Sequence, residues 1–350
     1  MRRQSNFKII FLLMVTMAGI LLLAGCGGKE ENQNGLTVVK VGYFPNMTHA
    51  QALVGFSEGT FQKALGDGVV IEEHKFNAGP AEIEALLAGE IDLGYIGPVP
   101  AVNGFVKSKG KIQIIAGAST GGALLLARNG VEIKIPKDLD GKKVAVPQLG
   151  NTQDLLLKNL LNQANLKDVA KGGTVTVIPA ENPDILTLLT RGEVDAALVP
   201  EPWGSIMVKQ TGAKIVLDSN ELWREGNYAT AVVIVNTDFL NKHPDLVEKW
   251  LSAHVEITEH MNHDPEASRI SIQNQLKKLT QKELPEDILN SSISRVTVTN
   301  DPMATSIKEF ADISFKSGYL KEKHDISNLF NFELINKILK QKGSPQLSGL

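Results

Sequence analysis

The sequence predicts an α/β protein of two similar lobes facing each other across a cleft, and three observations predict it. Residues 79–100, GPAEIEALLAGEIDLGYIGPVP, read as a short helix, a Gly-Glu turn and a buried strand stopped by Gly97-Pro98. Residues 184–203, DILTLLTRGEVDAALVPEPW, repeat that unit, with Gly192, Glu193 and Asp195 standing 103 positions after Gly89, Glu90 and Asp92. The same spacing joins Lys40-Val41 to Lys143-Val144, Leu53 to Leu156, Pro80 to Pro183 and Lys111-Ile112 to Lys214-Ile215. A period this long exceeds the roughly 20–50 residues of solenoid repeats. Each copy is therefore a lobe with its own core.

In the first unit Ile83, Leu86 and Leu87 recur at helical spacing and form an apolar stripe. Gly89 suits the left-handed residue that ends a helix. Residues 91–96 are short and mostly apolar, as a strand covered on both faces is. Ligands of open α/β sheets bind at the carboxyl ends of strands, which places Gly97-Pro98 at a binding edge.

From the start of the lobe, residues 36–43 alternate as a first strand that stops at Pro45. Asn46-Met47-Thr48 then opens a helix through Ala52, Leu53 and Phe56, with Asn46 or Thr48 as its N-cap. Residues 69–76 are a second strand, and residues 111–117 another, ending in Ala118-Ser119-Thr120-Gly121-Gly122. Residues 123–127 are the first crossing into lobe two. There the expected elements are a strand at 144–146, a helix near 153–163, a strand at 175–178, a helix at 185–190 and a strand at 196–199. Residues 231–235 are the return crossing. Candidate helices at 246–260, 265–279, 303–317 and 332–340 are expected to pack on lobe one. The domain reading is 36–122 plus 231–350 for lobe one and 123–230 for lobe two. Two crossings make a stiff hinge, and closure on a ligand is the expected motion.

The amino terminus differs in character. Arg2, Arg3 and Lys8 precede an apolar run over residues 9–23 and then Ala24-Gly25-Cys26, the pattern of a secretory signal. The run is shorter than the roughly 20 residues needed to span a bilayer. Leu23-Ala24-Gly25-Cys26 resembles the lipobox of bacterial lipoproteins. The resemblance implies a signal peptide over residues 1–25, cleavage before Cys26, acylation of Cys26 and a lipid-anchored tether over 26–35. Cys26 is the sole cysteine, so an acylated mature chain has no thiol and no disulfide. Loss of three basic residues with the signal takes the formal charge from −3 to −6. A basic nucleic-acid footprint is absent.

Two loops occupy equivalent places in the repeat: Phe44-Pro45-Asn46-Met47-Thr48-His49 and Pro147-Gln148-Leu149-Gly150-Asn151-Thr152-Gln153. Each delivers a helix amino terminus, rich in amides and hydroxyls, to the strands' carboxyl edge. Free N–H groups and the positive end of the helix dipole make such a terminus an anion site, though ordinary capping explains each loop singly. Thr120 and Gly121 sit among small residues through which backbone N–H groups can approach a ligand. No lysine or arginine lies in these loops, which favours an anion held by dipoles and neutral donors. Glu201-Pro202-Trp203 ends the second unit at the cleft edge. Trp203 could cover an alkyl portion of a ligand or anchor a core. Glu201 could receive an amine, orient a donor or stand in solvent. His254, His260 and His263 lack a fixed third ligand and read as a solvated helix face, not a metal site. No G-x-S-x-G or G-x-x-x-x-G-K-[ST] run is present. No catalytic residue, metal or cofactor is expected. An enzyme on the same fold would have only His49 and Glu201 as an evident acid–base pair.

GYFPNMTHAQAL, AGPAEIEALLAGEIDLGYIGPVPA, DLDGKKVAVPQLGNTQD and PEPW together resemble the substrate-binding proteins of ABC importers for nitrate, sulfonate, taurine and bicarbonate. They are nearest the aliphatic-sulfonate-binding, SsuA-like group, over residues 37–249. The resemblance implies a type II periplasmic-binding-protein fold and a small oxyanion between the lobes. It implies a monomer delivering that solute to a membrane permease with ATPase subunits. The ligand residues it implies are Asn46, Thr48, His49, Gly97, Pro98, Thr120, Gly121, Gly150, Asn151, Thr152, Gln153, Glu201 and Trp203. An aliphatic sulfonate is the first expectation. Nitrate, taurine, bicarbonate and a thiamine-precursor-like molecule are the alternatives, because Gly150–Gln153 stands where some sulfonate binders carry a serine-rich loop.

Overall fold

The computed structural model describes residues 35–350. The expected signal peptide, Cys26 and nearly all of the expected tether lie outside the described residues. Among the described residues no helix is long and apolar enough to cross a membrane.

The first lobe opens with β1 (Thr37–Tyr43), a 3-10 turn at Met47–His49, α1 (Ala50–Glu58) and α2 (Thr60–Leu65). There follow β2 (Val69–Lys75), α3 (Gly79–Ala88), β3 (Leu93–Ile96), α4 (Pro98–Ser108) and β4 (Ile112–Gly121). The chain crosses at Gly122 into β5 (Ala123–Ala127) and β6 (Lys143–Val146). Next come α5 (Thr152–Gln163), β7 (Thr176–Pro179), α6 (Asn182–Arg191), β8 (Ala196–Pro200), α7 (Trp203–Thr211), β9 (Lys214–Leu217) and α8 (Ser219–Leu222). It returns through β10 (Ala229–Asn236). The carboxyl-terminal part holds α9 (Thr237–Lys242), α10 (Pro244–His263), α11 (Pro265–Thr280), α12 (Glu286–Ile293), β11 (Val296–Val298), α13 (Ala304–Lys316) and α14 (Glu333–Gln341).

The internal repeat is visible in the hydrogen bonds. Lys40 N–H donates to Asp92 Oδ2 at 2.8 Å and Lys143 N–H to Asp195 Oδ2 at 3.0 Å. Asp92 and Asp195 N–H return the bond to the Lys40 and Lys143 carbonyls, each at 2.8 Å. Gly89 and Gly192 both end their helices with positive φ, 77° and 72°. The two sheets have one plan, β2-β1-β3-β10-β4 with β11 at the edge and β7-β6-β8-β5-β9. In each the fourth position holds a crossing strand, antiparallel to its neighbours: β10 in the first sheet and β5 in the second. Each sheet thus contains a strand supplied from the far side of the hinge.

Two expectations are corrected. β4 does not end at Gly117 but runs to Gly121, because β10 and β11 pair along it; Thr297 of β11 stands opposite Thr120. Nor do the late helices pack on the first lobe alone. Trp250 of α10 is fully buried and stacks on Phe61 of that lobe at 3.7 Å. On α13, however, Phe310 and Ile313 belong to a core of the second lobe, with Phe310 against Trp223 at 4.6 Å. The apolar stripe of α13 faces the junction, so one helix closes both cores.

Candidate functional site

At the carboxyl edges of both sheets the lobes enclose a polar cavity of about 30 Å³. Most of its lining comes from the amino-terminal ends of five helices: Thr48 and His49 before α1, Ala78 and Gly79 at α3, Gly97 and Pro100 at α4, Asn151 to Gln153 at α5, and Asn182 at α6. Five pairs of lining residues stand 103 positions apart: Phe44 with Pro147, Thr48 with Asn151, His49 with Thr152, Gly79 with Asn182, and Gly97 with Pro200. The cavity is therefore built from equivalent positions of the repeat. Among the described residues no Lys, Arg, Asp or Glu lines it. Helix amino termini carry partial positive charge and unpaired N–H groups, so the cavity attracts an anion without a counter-charge.

The head of α5 shows how the sequence makes such a surface. Gly150 turns with φ 78°, and Asn151 caps the helix by accepting the Asp154 N–H at 2.8 Å. That satisfies one donor and leaves the N–H groups of Thr152 and Gln153 without a backbone partner. The Thr152 hydroxyl is buried and has no hydrogen-bond partner among the described residues, and the Asn182 side-chain oxygen is likewise unpaired among them. Buried polar groups left unpaired are costly, and a bound solute is a natural partner for them. Asp154 is buried in the first turn of the same helix, where its charge would oppose an anion. It is neutralised by Lys158 Nζ at 2.8 Å and also takes the Gly150 N–H at 2.8 Å and the Tyr319 hydroxyl.

His49 is buried at the cavity wall. Its Nδ1 accepts the Phe44 N–H at 3.2 Å, and its ring stacks on Phe44 at 4.4 Å. Burial lowers its pKa to about 3, so the imidazole is neutral with its proton on Nε2. The lobes also touch directly. Met47 N–H donates to the Glu201 carbonyl at 2.9 Å, and Asn77 Nδ2 donates to Glu181 Oε2 at 2.9 Å.

The sequence-expected site residues divide. Asn46, Thr48, His49, Gly97, Asn151, Thr152 and Gln153 come together around the cavity. Pro98 begins α4 but does not line it, and Thr120 and Gly121 lie in the paired part of β4. Gly150 is occupied with Asp154. Glu201 is neither at the cleft surface nor in solvent: it is fully buried and bonds Ser205 N–H at 2.9 Å and Arg295 Nη1 at 3.0 Å. Arg295 supplies its counter-charge, and Glu201 forms no acid–base pair with His49 in the cavity. Trp203 walls a separate, apolar cavity next door. His254 is another correction. It is wholly buried, not solvated, with Nδ1 2.8 Å from the Tyr95 hydroxyl and Nε2 2.9 Å from the Gly117 carbonyl. Among the described residues no group of three or more His, Cys, Asp or Glu could hold a metal.

Asn77, Asn182 and Thr230 line the cavity and were not among the expected site residues. A signal existed for Asn182, which is the repeat partner of Gly79.

A two-lobed α/β fold with crossing strands and a polar cleft defines the substrate-binding proteins of type II architecture. The chain belongs to the NMT1-like family, whose model matches residues 32–274. It is similar to a Bacillus subtilis (strain 168) protein named for aliphatic sulfonates binding, with 27% identity over 95% of this chain and 98% of that protein. It is also similar to the taurine-binding periplasmic protein of Escherichia coli (strain K12), with 27% identity over 59% of this chain and 61% of that one. The periplasmic nitrate-binding protein NrtA from Synechocystis PCC 6803 has the same fold, with a TM-score of 0.75, 17% identity and coverage of 89% of this chain and 90% of that one. These relatives are binding proteins, and the chain is a binding protein rather than an enzyme.

Proposed function

We propose that the protein captures a small oxyanion, an aliphatic sulfonate before others, between its lobes and hands it to an ABC importer at the outer face of the membrane. The observation that carries this reading is the convergence of five helix amino termini on one cavity without any charged side chain. A permanently ionised tetrahedral anion accepts hydrogen bonds and never donates one, which matches donors such as the Thr152 hydroxyl, the first N–H groups of α5 and His49 Nε2. The relatives named for sulfonate and taurine binding support the same class of ligand. The proposal takes a permease and ATPase subunits as partners, acylated Cys26 as the anchor and a monomer as the working form.

A second reading has its own observation. The cavity of about 30 Å³ is compact enough for a bare inorganic anion, and the chain shares its fold with a nitrate-binding protein. Thermal-shift measurement of the chain from Gly27 onward separates the two. Ethanesulfonate or taurine should raise the melting temperature, by about 2.7 kcal/mol of linkage at a hundredfold excess over Kd. Stabilisation by nitrate or bicarbonate alone would favour the second reading, and no response to any anion would reject both.

A further inference from the structure

Two of the helices whose amino termini line the anion cavity carry a buried carboxyl in the first turn, Asp154 on α5 and Glu82 on α3. Asp154 has Lys158 as its counter-charge. Glu82 is fully buried, and among the described residues neither of its oxygens has a hydrogen-bond partner. The repeat shows how room is made for it. One period of 103 residues on, Glu82 is replaced by Ile185, Gly42 by Ala145 and Gly94 by Ala197. Those three are wholly buried in one apolar cluster of the second lobe. Gly42 stands beside Gly94 in the β1–β3 register as Ala145 stands beside Ala197 between β6 and β8. A β-carbon on either glycine would overlap Glu82 Oε1. The first lobe thus lacks two methyl groups at the spot where it holds a carboxyl. Nothing in the fold calls for an acid there, since the second lobe builds the same helix and strands around an isoleucine.

A buried carboxyl without a counter-charge is held neutral by its proton, and burial raises the Glu82 pKa well above 4.5. Gly79, one helical turn earlier, lines the cavity. An ionised Glu82 would therefore set a negative charge behind the positive end of α3. The ionisable groups on the sheet face that Gly42 and Gly94 turn toward α3 are Lys40 of β1, Glu72 and His74 of β2, and Asp92 ahead of β3. Lys40 Nζ reaches the Gly89 carbonyl at the far end of α3, at 3.3 Å, and His74 Nε2 lies 3.9 Å from Glu72. Glu84 of α3 and Lys107 of α4 are exposed, and β10 has no ionisable side chain. His49, across the cavity, is already neutral above pH 5.

We propose that Glu82 is a proton-operated control on the anion site: the neutral acid leaves the amino terminus of α3 free to attract the solute, and ionisation of the acid weakens that hold. The proposal rests on the anion reading above and adds the regulation of the same site. By reciprocity a bound anion favours the protonated acid, so anion and proton are taken up together. Affinity is full at low pH and falls as the pH rises through the range in which Glu82 ionises. A like charge about 10 Å from a bound anion, at an effective dielectric of about 20, weakens binding roughly tenfold.

Calorimetric titration with ethanesulfonate and with nitrate between pH 5 and pH 9 tests this, because both anions stay ionised throughout. The unmodified protein should lose affinity roughly tenfold over that range. Its binding heat should also vary with the ionisation enthalpy of the buffer, which reports proton uptake. Glu82→Gln keeps the shape without the charge, and Glu82→Ile copies the second lobe. Each should hold its pH 5 affinity up to pH 9. His74→Gln, which removes the nearest histidine on the sheet face, should keep the loss. A flat profile in the unmodified protein overturns the proposal and leaves the anion reading intact. So does a loss that persists in either folded Glu82 variant, or one that disappears in His74→Gln. Failure of both anions to bind at any pH overturns the anion reading with it.

Discussion

The Thr152 hydroxyl of the second lobe rests against Gly97 of the first so closely that a β-carbon on Gly97 would overlap it. Gly97 is the N-cap of α4, with φ −66° and ψ 149°, a conformation any residue adopts. Glycine is therefore required here by the approach of the other lobe and not by its own backbone.

Gly97→Ala should fold normally and close badly. Overpacking a tight contact costs about 1–3 kcal/mol, so ligand affinity should fall roughly fivefold to hundredfold. The unliganded melting temperature should stay near that of the unmodified protein. Titration calorimetry with ethanesulfonate and thermal melts check both halves; undiminished affinity would mean that this contact plays no part in closure.

Lys158 is expected to protect the anion site indirectly. Its side chain is 12% exposed and that of Asp154 is 0% exposed, and removing one partner of a buried pair costs about 3–5 kcal/mol. Lys158→Met should lower stability by that order and weaken anion binding, since it leaves the Asp154 carboxylate in the first turn of α5 without its counter-charge. Asp154→Asn combined with Lys158→Met should recover most of the stability. Urea unfolding of the three proteins is the measurement, and a double variant no more stable than the single one would contradict the pairing.

Buried titratable groups set the pH response. Burial lowers His49 to about 3 and His254 to about 4. As the pH falls below about 6.5 the unfolded chain protonates these histidines and the folded chain does not. Stability should drop toward pH 4, by up to about 1.4 kcal/mol per pH unit for each. Glu82 acts in the opposite sense. It is buried in the first lobe with both carboxyl oxygens unpaired, and burial raises its pKa well above 4.5. Above that pH the unfolded chain releases a proton that the folded chain retains, so Glu82 removes stability as pH rises. Glu82→Gln should therefore raise the melting temperature more at pH 8 than at pH 5, and equal shifts would show that Glu82 is ionised in the folded protein.

The repeat made much of the fold legible. Constant spacing between Gly89 and Gly192, or Lys40 and Lys143, reports the same turns and the same Asp-to-backbone bonds in both lobes. Helix-opening residues after the strands gave most of the cavity wall for the same reason. What was not legible depends on partners far away in sequence. Glu201 reads as a cleft carboxylate until Arg295 is seen to meet it across 94 positions. His254 reads as solvated until Tyr95 and Gly117 enclose it. Neither α13 nor β11 carries a repeat partner, so nothing in the pattern announced that one closes both cores and the other extends the first sheet.

The central claim is that the head of α5 holds an anion, and Thr152 tests it most directly. Its hydroxyl is buried and unpaired, whereas the capping bond of the helix belongs to Asn151. Thr152→Val keeps the shape, leaves the cap in place and removes only the donor. A hydrogen bond to a charged group contributes roughly 1.5–3 kcal/mol, so ethanesulfonate affinity measured by titration calorimetry should fall about tenfold to a hundredfold. Unchanged affinity in a variant that melts like the unmodified protein would contradict the account.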